Sequence, residues 1–186
     1  MKKLMIAVAA VVSAVAVNAA TVNWGASNVK ASPDQTDLSK YTFYLIDNTA
    51  WDRSTITSAA TDEALLAALN GATAAALKST PAQVIGTAPN QTAKVPTLNP
   101  LPTDAYDKGA TPSYYTLVLD NESVATADNY LVTALKTATV SSTGTLGMTF
   151  GSLSSYSWNA VPTPEPTSGL LLLLGVAGLA LRRRRA

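Results

Sequence analysis

Few side chains in this sequence are equipped for bond-making chemistry. It contains no Cys and no His, which removes thiol nucleophiles, imidazole bases, disulfides and thiolate or imidazole metal sites together. Carboxylates are the strong general bases that remain, and they form three local groups: Asp47 with Asp52, Asp104 with Asp107, and Asp120 with Glu122 and Asp128. A calcium loop needs ligands at alternating positions, a Gly at the sixth and a distal Glu, and none of the groups follows that pattern. Asp120-Asn121-Glu122 closes a candidate strand, where Asp and Asn act as turn formers, with an incidental or structural calcium as the alternative. A glycosidase would need two carboxylates about 5 to 10 Å apart in a cleft, and no segment frames such a pair. There is no G-x-S-x-G elbow, and a serine nucleophile would find no His to act as its base. The expectation is a protein that is not an enzyme and has no catalytic residue, cofactor or metal site. Trp24, Trp51, Trp158 and the tyrosines can stack on carbohydrate rings, but core packing and strand propensity account for them equally simply.

These residues sit in a segment, 20–161, of short alternating or aromatic runs separated by turn formers. Tyr41–Ile46, closed by Asp47-Asn48, and Tyr114–Leu119, closed by Asp120-Asn121, are the strongest candidate strands; Thr21–Trp24, Tyr130–Ala134, Lys136–Val140, Thr145–Phe150 and Tyr156–Val161 are others. The likeness between the two strongest is strand physics, not an internal repeat. One helical segment interrupts them. Thr61 caps it, Asp62 and Glu63 favour its positive end, Leu65, Leu66 and Leu69 follow, and Asn70-Gly71 breaks or ends it, with a resumed turn over Ala72–Lys78. Six prolines between 79 and 112 exclude a regular helix and disfavour central strands, so this stretch reads as an extended loop or edge segment. The fold class is therefore mainly β with one short helical segment (α+β), an antiparallel sheet or sandwich in one domain with a long connection over 79–112. Trp24 and Trp158, near its two ends, are placed to pack where first and last strands meet.

Charge is divided unevenly along the chain. Lys2, Lys3, Arg182, Arg183, Arg184 and Arg185 are six of the thirteen basic residues, which leaves seven between them against twelve acidic ones, a net charge of −5. Such a body offers no basic surface to a phosphate backbone, and nucleic acid is excluded as a partner. The ends have a different purpose. Residues 1–19 follow the plan of a signal peptide: basic Lys2-Lys3, an apolar run from Leu4 to Val17, and a small-residue exit at Val17-Asn18-Ala19. Cleavage is expected after Ala19, leaving Ala20 first, because a cut after Ala20 would put Asn18 where a small aliphatic residue is preferred. This predicts signal peptidase as a partner.

Residues 162–186 hold three adjoining parts: Pro164-Glu165-Pro166, an apolar run from Leu170 to Leu181, and Arg182–Arg185. Twelve residues span about 18 Å as a helix, short of a hydrocarbon core of about 30 Å. Counting uncharged Thr167–Gly169 makes 167–181 the membrane segment, with snorkelling arginines and local thinning closing the gap. The run is apolar on every face, unlike a surface helix, and the positive-inside rule orients it N-out.

Over Thr163–Ala186 this arrangement resembles the PEP-CTERM sorting signal of Gram-negative bacteria. The resemblance implies Pro164, Glu165 and Pro166 as the sorting motif, Leu170–Leu181 as the transmembrane segment in the inner membrane, and Arg182, Arg183, Arg184 and Arg185 as the stop. It also implies export by the Sec export machinery, recognition by an exosortase, a multi-pass membrane enzyme, and, by association, a setting at the cell surface or in a biofilm matrix with exopolysaccharide as a partner. The prolines agree physically, holding an extended segment outside the bilayer that an enzyme can accept as a strand. The expected protein is exported, surface-sorted and non-enzymatic, with a carbohydrate-binding module as the alternative.

Overall fold

A computed structural model of the chain describes residues 20–87, 90–95, 101–103, 106–141 and 145–163. In chain order the elements are β1 (Ala20–Val29), β2 (Thr42–Asp47), α1 (Ser54–Thr57), α2 (Asp62–Ala74), β3 (Lys78–Pro81), β4 (Gln83–Ile85), β5 (Thr92–Val95), β6 (Leu101–Thr103), β7 (Ser113–Leu119), β8 (Asn129–Val132), β9 (Lys136–Thr137), β10 (Thr145–Ser152) and β11 (Asn159–Ala160). The protein is thus mainly β, as its sequence leads one to expect, and among the described residues α2 is the one helix of more than a single turn.

Two sheets form. One runs β10-β1-β5-β4, with β6 also on β1; the other runs β11-β8-β7-β2-β3, with β9 also on β7. The two strongest sequence runs are the centre of the second sheet, paired antiparallel with Phe43 opposite Val118 and Tyr44 opposite Leu117. Every residue of β2 is buried because the sheet is covered on both faces. Phe43 and Leu45 join Trp24, Val22, Tyr114 and Met148 in a core between the sheets. Tyr44 and Ile46 join Leu69, Ala72, Tyr115 and Leu117 in a second core beneath the helices. A strand buried on both faces reads as a continuous apolar run, not an alternating one, which is the pattern of Tyr41–Ile46. The result is three layers, sheet on sheet on helix.

The pairings are antiparallel as expected, apart from β1 and β10, which run parallel, Thr21 opposite Thr145 through Gly25 opposite Thr149. Parallel neighbours need only a long connection, and residues 30–144 lie between these two. The stretch 79–112 is not one extended loop: it takes in β3 and β4, which lie at sheet edges as the edge-segment reading expects, but also β6 on β1 and β5 inside the first sheet between β1 and β4. Of its prolines, Pro81 ends the four-residue edge strand β3 and Pro102 sits within the three-residue β6 on β1. Nor does Asn70-Gly71 end the helix. α2 starts where expected, with Thr61 accepting from the Ala64 N–H at 3.2 Å, but continues to Ala74, and Lys78 opens β3 instead. Gly71 is there for clearance: a Cβ would lie 2.1 Å from the Trp51 ring. Among the weaker runs, Thr21–Trp24 grows into the ten-residue β1 while Lys136–Val140 and Tyr156–Val161 shrink to two-residue strands.

Candidate functional site

The chain leaves the fold along the outer edge of β8. Here β11 pairs Asn159 with Tyr130 and Ala160 with Asn129, and the Val161 N–H donates to the Asp128 carbonyl at 2.8 Å. Both β11 side chains are exposed, whereas Val161 is 7% exposed and belongs to the helix-side core. Pro162 is half-buried and Thr163 exposed. A groove of about 280 Å3 opens at this exit, lined by Leu66, Asn70, Val124, Ala127, Val161 and Pro162. The sorting residues Pro164, Glu165 and Pro166, the arginines Arg182–Arg185 and the apolar run lie outside the described residues, as do Val17 and Ala19. Ala20 opens β1, opposite Thr103. Among the described residues no helix is long and apolar enough to cross a membrane.

What holds the exit loop is a carboxylate. Asp120, 1% exposed, accepts through Oδ1 from the Asp128 and Asn129 N–H groups, both at 3.0 Å. Its Oδ2 accepts from Ser32 Oγ at 2.7 Å and Asn129 Nδ2 at 2.9 Å. Four donors satisfy a buried charge that would otherwise be costly. Ser32 in turn is bound through its N–H to the Tyr41 hydroxyl at 2.6 Å, which donates to the Gln35 carbonyl at 2.6 Å. Burial pushes the Tyr41 hydroxyl pKa up, partly offset by its bonds with Ser32. Asp120 therefore does what the turn reading assigns it, and also ties the β7–β8 loop to a residue 88 positions away. No local sequence signal marks Ser32 as its partner.

The other carboxylates are structural or dispersed. Asp47, also buried, accepts from the Thr49 N–H and hydroxyl at 2.8 Å each and from the Tyr106 hydroxyl at 2.7 Å. Asp52 accepts from the Ser54 N–H at 2.8 Å at the start of α1, which lowers its pKa. Asp107, Glu122 and the Asp128 side chain are exposed, and Asp104 lies outside the described residues. Among the described residues no group of three carboxylates is placed to hold a metal ion.

Of the three tryptophans, Trp24 is fully buried between the sheets and Trp51 is half-buried against Gly71. Trp158 packs edge-on to Tyr41, ring centroids 5.4 Å apart, and donates from Nε1 to the Lys30 carbonyl at 3.2 Å. Trp158 thus reaches the residue that follows β1, but the first and last of the described strands do not meet: β1 lies in one sheet, and β11 lies on β8 in the other. Beside it opens an open cleft of about 430 Å3, with Leu131 and Leu153 among its buried lining residues, half-buried Tyr156 and Trp158, and the exposed Lys30, Ser154 and Ser157. Tyr156 is held by the Ala134 N–H, which donates to its hydroxyl at 3.2 Å. Lys30 and Tyr156 carried no motif that sequence reasoning could use.

No curated protein and no solved structure matches this chain. The specific information lies where the chain exits past Val161. Residues 162–185 match the family model of the PEP-CTERM protein-sorting motif, and the chain carries that sorting tail directly behind its last strand.

Proposed function

We propose that this is an exported, non-enzymatic protein, sorted through its tail to the cell envelope or extracellular matrix after processing by an exosortase. The sorting motif itself implies export, membrane-anchored sorting and an exosortase as processing partner. That motif is the observation that carries the reading. The remaining steps are the proposal's own: Sec export with removal of residues 1–19, an N-out anchor at 167–181 stopped by Arg182–Arg185, and release or retention at the surface. Support for a non-enzymatic role comes from the carboxylates. Among the described residues, the buried carboxylates Asp47 and Asp120 spend their oxygens on the protein's own N–H and O–H groups, and a general base needs a free lone pair facing its substrate.

The test is fractionation with intact-mass analysis of the protein from cells with and without the exosortase. The expected mass in normal cells begins at Ala20 and lacks the residues beyond the processing point. A chain still ending in Ala186 there sinks the processing step. A second reading, a carbohydrate-binding module acting on exopolysaccharide, is favoured by the cleft beside Tyr156 and Trp158, where fixed aromatic rings adjoin hydroxyls. On a polysaccharide array, binding lost in Trp158→Ala supports it; no binding by the intact protein removes it.

A further inference from the structure

The distance between the last held residue and the sorting motif is very short. Val161 is fixed by its backbone bond to Asp128 and its buried side chain, and Pro164 follows three residues later, within about 10 Å even when fully extended. Leu170, where the apolar run starts, is nine residues from Val161, a reach of at most about 30 Å, part of which must cross the headgroup layer. An enzyme that takes the Pro-Glu-Pro segment as an extended strand needs free chain on both sides of it. Upstream it finds only Pro162 and Thr163 before the wall of the fold.

Release of β11 supplies the missing length. Freeing Asn159, Ala160 and Val161 adds about 10 Å of chain, and the next anchored residue is Trp158, held by Tyr41 and the Lys30 carbonyl. β11 is built to open first: it is two residues long, its side chains are exposed, and it borders β8 alone. Local opening draws on such elements, with few buried contacts at a sheet edge. We propose that the β11–Val161 segment is a clasp that governs tail processing, so that the exosortase acts on the chain when Asn159–Val161 has left the edge of β8. This rests on the reading of the tail as an exosortase substrate.

The experiment is a pulse-chase of the full chain in cells containing the exosortase, following loss of the C-terminal mass. Four forms are compared: the natural chain, a chain with a twelve-residue Gly/Ser insertion between Thr163 and Pro164, Val161→Ala alone, and Val161→Ala with the insertion. The insertion leaves every described contact intact and is expected to speed processing by about tenfold or more, the effect of removing a local opening step. Val161→Ala is expected to speed processing in the natural spacing and to have no effect once the insertion is present. Equal rates in the natural and inserted chains overturn the clasp while leaving the exosortase reading standing. Absence of processing in every form, or identical processing without the enzyme, overturns the exosortase reading and the clasp with it.

Discussion

The centre of the second sheet and its last edge strand are built on opposite terms. β2 and β7 pair over six residues, and their side chains fill cores on both faces. β11 pairs over two residues, exposes both side chains and holds through Val161 next to it. The centre decides whether the protein folds at all, because core side chains each contribute about 1.5–3 kcal/mol of burial. The edge decides where the fold stops and the tail begins. A substitution at the first should change global stability, and one at the second mainly local opening.

Leu117→Ala, in the middle of β7 under the helices, is the largest expected break in that contrast, costing about 2–5 kcal/mol through lost burial and a residual cavity. Chemical denaturation checks it, with local exchange at Val161 following the global loss. Asp120→Ala comes next at about 2–4 kcal/mol, because it strands the Asp128 and Asn129 N–H groups and the Ser32 hydroxyl. It should also loosen the Val161 N–H, since the carbonyl that holds it belongs to Asp128, and hydrogen exchange reads this directly. Gly71→Ala is expected to cost about 1–3 kcal/mol by driving a Cβ into the Trp51 ring. A variant of unchanged stability would mean that the ring moves aside freely. Val161→Ala should cost about 1 kcal/mol and raise exchange at β11 while the centres of β2 and β7 keep their protection.

The smallest effect is none. Without His or Cys, no side chain in the body titrates at its ordinary pKa near neutrality, so the melting temperature should be flat between about pH 6 and 9. Above that, burial has raised the pKa of Tyr41, Tyr44, Tyr115 and Tyr130 from the ordinary value of 10.0. A raised folded pKa contributes stability that is complete below the unfolded value and is lost as pH rises through it. Melting temperatures should therefore fall above about pH 10, and a sharp change near pH 7 would break this account.

Legibility followed the same division. The strands over Tyr41–Ile46 and Tyr114–Leu119 were plain in sequence because burial on both faces leaves an unbroken apolar run. The cap at Thr61 was plain because capping is decided within four residues. The prolines of 79–112 misled in part: proline bars a long central strand, yet strands of three or four residues take up Pro81 in β3 and Pro102 in β6. Asn70-Gly71 misled completely, since a breaker and a clearance residue look the same until the ring above Gly71 is known. Of the candidate site, the motif was legible and its setting was not.

By itself the sequence determined the excluded chemistry, the central strands, the helix start and the sorting tail. Each is a matter of composition or of residues contiguous in the chain, so the physics is local. Tertiary structure alone decided the parallel pairing of β1 with β10, the packing of Trp51 on Gly71, the bond from Ser32 to Asp120 and the hold on Val161. These join residues through the close packing of separate elements, and such pairings leave no periodicity along the chain. The tail was written in the sequence, but how little free chain lies between it and the fold follows only from where Val161 is held.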